Sequence, residues 1–123
     1  MQQTGRPVSP HVSIYAFPVG ALSSITNRVT GTCLSVGAAS LAGLELMGGS
    51  GTALSLMQGL GDSMLAAPTK LAVSFPLVYH YLGAVRHTAW DYRPELLENA
   101  DVETTSYVLV GTSVVLSLGL AIM

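Results

Sequence analysis

The chain has 123 residues, half of them hydrophobic and only 10% charged, with a net charge of −2 and a mean hydropathy of +0.52. Soluble domains carry about 25% charged residues, so this composition excludes a fully water-covered surface, and five Lys and Arg are too few to neutralise a phosphate backbone. The single cysteine, Cys33, excludes an internal disulfide and any multi-cysteine metal site. Lying in an apolar stretch, Cys33 reads as a small buried hydrophobe. The expectation is one all-α integral membrane domain over residues 1–123.

The chain opens with "MQQTGRPVSPHVSIYAFPVGAL". It lacks the basic start and clean apolar core of a signal peptide, and it is not the Arg- and Ser-rich amphipathic helix of a transit peptide. Pro7, Pro10 and Pro18 predict an extended segment over residues 1–20. A first span follows over residues 24–47, built on the uncharged run "VTGTCLSVGAASLAGL". Its small residues Gly31, Gly37, Ala38, Ala39 and Gly43 would let another helix approach closely. "GGSGTALSLMQGLGDS" is Gly-rich and predicts a loop, with room for a short interfacial turn.

A second span is predicted over residues 65–90, around "LAVSFPLVYHYLGAV". It reaches membrane length only if Lys70 and Arg86 snorkel toward the headgroups. Trp90 and Tyr92 then fit an interfacial aromatic belt. The last span, residues 104–123, qualifies outright, since a crossing needs about 20 mostly apolar residues. Three crossings put Arg6, Arg28, Arg86 and Arg93 on one side and leave Lys70 alone on the other. By the positive-inside rule, the N-terminus faces the cytoplasm or matrix. Three helices enclose little, so the chain is expected to join a multi-subunit helical bundle.

His80 stands inside the second span, where ionisable residues are expensive and functional by default. It reads as a bonded structural histidine, a proton relay, or a metal or haem ligand. His87 is seven residues on, on the same helix face and about 10 Å along the axis, with Arg86 beside it. An upright haem needs a neutral imidazole in the dry interior and donors at the edge for its propionates. Arg28, opening the first span on the same side, supplies another such donor. A second axial ligand cannot be His87, which is too far along the same helix. His11 lies in the proline-punctuated segment, and Met47 and Met57 lie toward the other side. A bis-histidine haem would therefore take its second histidine from another chain.

"RPVSPHVSIY" (6–15), "SITNRVTG" (24–31) and "HYLGAVRHTAWD" (80–91) resemble, in order and spacing along nearly the whole chain, the cytochrome b large membrane-anchor subunits of succinate dehydrogenase, respiratory complex II. The resemblance implies that His80 is an axial ligand of haem b, with the second histidine donated by the small membrane-anchor subunit. It implies that His87 and Arg28 contact the haem propionates, and that Ser24, Ile25 and Arg28 help form the ubiquinone pocket with the iron–sulfur subunit and the small anchor. A hydroxyl can bond a quinone carbonyl, and a guanidinium can stabilise its reduced states. The sequence departs at Asn27, where the family usually has histidine; asparagine can still donate a hydrogen bond but carries no charge. The N-terminal segment would run along the matrix face against the iron–sulfur subunit. Asp91 would feed protons to the quinone or simply pair with Arg86 or Arg93.

The function implied is a membrane-anchor and electron-transfer subunit of succinate:quinone oxidoreductase. It would lie in the mitochondrial inner membrane or a bacterial plasma membrane. The chain carries no dicarboxylate or flavin motif, so succinate oxidation would belong to the flavoprotein subunit and no catalytic residue lies on this chain alone. The alternatives are a structural anchor without haem, with His80 as a packing residue, and the anchor of a quinol:fumarate reductase. A proton channel through His80 is weaker, because no second intramembrane acid or base accompanies it.

Overall fold

The computed structural model describes residues 5–123; the first four residues of the predicted N-terminal segment lie outside them. All regular structure among the described residues is helical. The long elements are α1 (Val19–Gly48), α2 (Thr52–Gly61), α3 (Ala66–Tyr92) and α4 (Asn99–Ile122), with short 3₁₀ turns at His11–Ile14 and Pro94–Leu97.

Local chemistry sets the boundaries. Pro18 stands in extended conformation immediately before α1, and its carbonyl accepts from the Leu22 amide. Proline suits this place because a helix start has no intrahelical partner for its N–H groups. α1 ends at Gly49, whose φ of 86° is open to glycine and costly for side chains. The N-terminal segment is not uniformly extended: the Pro10 carbonyl accepts from both the amide and the hydroxyl of Ser13, closing the turn at His11–Ile14. Residues 5–18 of this segment are exposed.

The Gly-rich connection, expected as a loop, holds the ten-residue helix α2. Its start is capped from the preceding helix. The Glu45 carboxylate accepts from the Gly51 amide at 2.5 Å and the Ala53 amide at 2.9 Å. An anion at a helix N-terminus satisfies orphan donors and complements the helix dipole.

Contacts along the helices define an up-down-up bundle. Gly20 lies against Val102 and Ser23 against Ser106, so α1 and α4 run parallel. Ser74 meets Ser117 while Arg86 meets Ser106, so α3 runs antiparallel to α4. Tyr79 and Arg86 on α3 both reach Ser23, near the start of α1.

The interior is inverted relative to a water-soluble protein. Its buried side chains include Ser23, Thr30, Ser74, Ser106, Ser113 and Ser117, beside Tyr79, Leu109 and Ala121. Leu, Val, Ile and Met side chains cover the outside of the long helices. Helices in lipid gain little by burying apolar groups against one another, so small residues and hydroxyl bonds hold their contacts. On α4, Ser106, Ser113 and Ser117 form one stripe that lets α3 approach. α1 and α4 are long and apolar enough to cross a membrane. α3 is about 40 Å long at 1.5 Å per residue, but its polar residues keep it out of that class by composition.

Cys33 departs from its expectation: it is exposed on α1, not buried within the chain. Of the small residues on α1, Gly31 is used by the fold, whereas Gly37 and Gly43 face open space.

Candidate haem-ligand and quinone site

His80 projects from the middle of α3 onto α1. Its Nδ1 lies 3.0 Å from the main-chain carbonyl oxygen of Asn27. A carbonyl can only accept, so Nδ1 carries a proton, and in the neutral tautomer Nε2 is the lone-pair nitrogen. Nε2 has no hydrogen-bond partner among the described residues. The ring is accommodated because α1 has a glycine opposite it: a Cβ on Gly31 would stand 2.6 Å from Cε1 and 3.1 Å from Nδ1 of His80. Thr30 donates to the same Asn27 carbonyl at 3.0 Å, so this oxygen serves two donors from outside the helix ladder.

The Asn27 side chain turns toward α3. Its Oδ1 is packed against Gly83, buried and without a hydrogen-bond partner. Gly83 is therefore needed for space: any side chain there would collide with the Asn27 amide. Asn27 orients His80 through its backbone carbonyl.

One turn toward the start of α1 lies a second polar layer. Arg86 donates from Nη1 to Ser106 Oγ at 2.8 Å and from Nη2 to Ser23 Oγ at 3.0 Å. Its guanidinium carbon lies 4.6 Å from the centre of the Trp90 ring, within cation–π range. Tyr79, fully buried, donates from its hydroxyl to the Ser23 carbonyl at 3.0 Å. Arg86 thus does not snorkel outward, and no pairing with Asp91 forms; its donors turn inward to link all three long helices.

Ser24, Ile25 and Arg28 lie on the exposed side of α1, with Ile25 43% exposed. Ser24 and Arg28 share a face, as their four-residue spacing predicts. His87 is exposed too, its ring edge-on to Trp90 with centroids 5.2 Å apart. The fold therefore orients His80 internally and leaves Ser24, Ile25, Arg28 and His87 facing outward. Sequence reasoning missed Ser23 and Ser106, the partners of Arg86, and Tyr79, which bonds the Ser23 carbonyl. The available signal was an arginine in a span together with hydroxyls at matching depth in the other two.

Comparison with known proteins places the chain in a family. Residues 2–120 match the succinate dehydrogenase/fumarate reductase transmembrane subunit family. The chain belongs to that family. Among relatives of this transmembrane subunit, the mitochondrial succinate dehydrogenase cytochrome b560 subunit of Dictyostelium discoideum is 40% identical over 114 residues, 91% of this chain and 59% of the relative. The human mitochondrial cytochrome b560 subunit is 36% identical over 124 residues, covering 98% of this chain and 72% of the relative. The cytochrome b556 subunit of Paracoccus denitrificans is 31% identical over 114 residues, 92% of this chain and 87% of the relative. The chain thus spans about three-fifths of the Dictyostelium transmembrane subunit's length.

Proposed function

We propose that this chain is a membrane-anchor and electron-transfer subunit of succinate:quinone oxidoreductase. His80 Nε2 is an axial ligand of haem b, and the small anchor subunit supplies the other histidine. The observation that carries this reading is the hydrogen bond from His80 Nδ1 to the Asn27 carbonyl. A metal-binding histidine typically donates its other ring nitrogen to a carbonyl or carboxylate, which fixes the tautomer and raises ligand basicity. The residues present thus fit an iron-bound porphyrin, and the relatives being cytochrome b560 and b556 subunits supports it.

The haem, when bound, supplies a one-electron store between the head of the complex and the quinone. The rest is done by side chains of this chain. His80 is aimed from α3, with Nδ1 held by the Asn27 carbonyl. Arg28 and His87, both exposed, offer donors to the propionates. Ser24 can donate to a quinone carbonyl, Ile25 can pack against the ring, and the Arg28 cation favours the reduced states of ubiquinone. The open side of α1 is completed by the small anchor and the iron–sulfur subunit, with succinate oxidation left to the flavoprotein.

α3 is read as a third crossing because it lies between α1 and α4 and matches them in length. Its polar groups are partly spent within the bundle, on Ser23, Ser106 and the Asn27 carbonyl. The N-terminus is then on the matrix side, and the setting is the mitochondrial inner membrane, in line with the mitochondrial relatives.

The test is a reduced-minus-oxidised spectrum of the purified complex, wild type and His80→Ala. A b-type α-band in the wild type that is lost or shifted in the variant is the expected result. A wild-type complex without that band would remove the haem and leave a structural anchor, with His80 a bonded packing residue.

A further inference from the structure

Arg86 is a buried-end cation that the reading above does not use. Each serine hydroxyl it meets has one proton to give. Ser23 can place its own on the Gly20 carbonyl at 3.0 Å, and Ser106 on the Val102 carbonyl at 2.6 Å. With those protons engaged, both hydroxyls present lone pairs to the guanidinium, and their mutual 3.1 Å contact is a packing contact. Arg86 Nε is buried and unpartnered among the described residues. Trp90 contributes a π face. None of these partners carries a negative charge, so the arginine's charge is solvated but not neutralised.

Its position relative to His80 is set by the same helix pair. His80 bonds the carbonyl of Asn27, while Arg86 bonds the side chain of Ser23, one turn earlier on α1. The two also stand six residues apart on α3, about 9 Å along the axis. We propose that Arg86 is a fixed cation, held by neutral hydroxyls of α1 and α4, that raises the reduction potential of the haem bound by His80. The direction follows from charge: adding an electron to ferric iron lowers the positive charge of the site, and a nearby cation favours that state. At about 12 Å and an effective dielectric of about 20, one unit charge changes a one-electron equilibrium about tenfold. In this role Arg86 is an electrostatic residue, because its Nη donors are taken by Ser23 and Ser106.

This inference rests on His80 as haem ligand, and its experiment separates the two. The midpoint potential of the b-type band is measured by redox titration of the assembled complex in wild type, Arg86→Lys and Arg86→Gln. A second pair, Ser106→Asp and Ser106→Asn, keeps the arginine and adds either a counter-charge or a neutral group of similar shape. Arg86→Gln is expected to lower the reduced-to-oxidised ratio about tenfold at fixed ambient potential, equivalent to 59 mV for one electron. Arg86→Lys should stay near the wild type, and Ser106→Asp should fall below Ser106→Asn. Equal shifts in Arg86→Lys and Arg86→Gln, or equal potentials in Ser106→Asp and Ser106→Asn, would overturn the charge argument. The serine pair decides the matter if Arg86→Gln does not assemble. A wild type with no b-type band sinks the ligand reading and this inference with it. A normal band at unmoved potential sinks this inference alone.

Discussion

Gly31 of α1 lies directly beneath the imidazole of His80 on α3: a methyl group at Gly31 would come within 2.6 Å of Cε1. Real Cβ contacts do not approach so closely, so either the ring or the helix must move. Gly31→Ala is expected to tilt His80 away from the Asn27 carbonyl and cost about 1–3 kcal/mol of overpacking. The α-band should broaden or lose intensity, read by difference spectroscopy alongside pyridine haemochrome content. An unchanged band would mean that the ring position does not depend on this contact.

Gly83 and Asn27 form a second matched pair. Gly83→Ala drives a methyl group into the Asn27 side chain and should lower the melting temperature of the complex. Asn27→Ala removes the obstacle and also the buried, unpartnered Oδ1. The double variant should therefore be more stable than Gly83→Ala alone, with a coupling of about 0.5–3 kcal/mol in a double-mutant cycle. Simple additivity would refute the contact.

Removing the hydroxyls around Arg86 leaves its donors unsatisfied. Ser23→Ala or Ser106→Ala is expected to destabilise the bundle by about 1–3 kcal/mol each, measured as thermal unfolding in detergent. Both serve one guanidinium, so the pair should be non-additive. Two independent, additive losses would argue against a shared junction.

The outward residues carry the opposite expectation. Ser24→Ala and Arg28→Ala touch no buried contact within this chain, so the packing of its own helices should stay as in the wild type. Quinone reductase activity should fall in both, by about tenfold or more for Arg28→Ala, since a hydrogen bond to a charged group contributes roughly 1.5–3 kcal/mol. Full activity in both variants would remove these residues from the quinone site.

Glu45 tests the far end of the bundle. Glu45→Ala removes the two acceptors that cap α2 and should cost about 0.5–2 kcal/mol locally. Amide hydrogen exchange at Ala53 and the first turn of α2 should accelerate, while the haem spectrum stays as it was. A spectral change would couple the two ends of the bundle in a way these contacts do not provide.

Much of this protein was legible in its sequence because it depends on local chemistry. The uncharged runs of 29–44 and 104–123 must satisfy their backbone bonds internally in lipid, which only a helix does within one segment. The order and spacing of "RPVSPHVSIY", "SITNRVTG" and "HYLGAVRHTAWD" identified the family, and His80 stood out as an ionisable group at depth. Only the tertiary structure decided what lies opposite each of these groups. α2 escaped the sequence reading because Glu45, eight residues before Ala53, caps it across a glycine turn. Arg86 was expected to reach outward because its position near the helix end allows snorkelling. It points inward because helix rotation brings Ser23 and Ser106 to the same depth. His80's partner is a main-chain carbonyl, a group every residue carries, so no side-chain pattern could single out Asn27. Helices are specified by neighbours along the chain; the rotation of one helix against another is specified by small residues and hydroxyls that become partners only when the bundle closes.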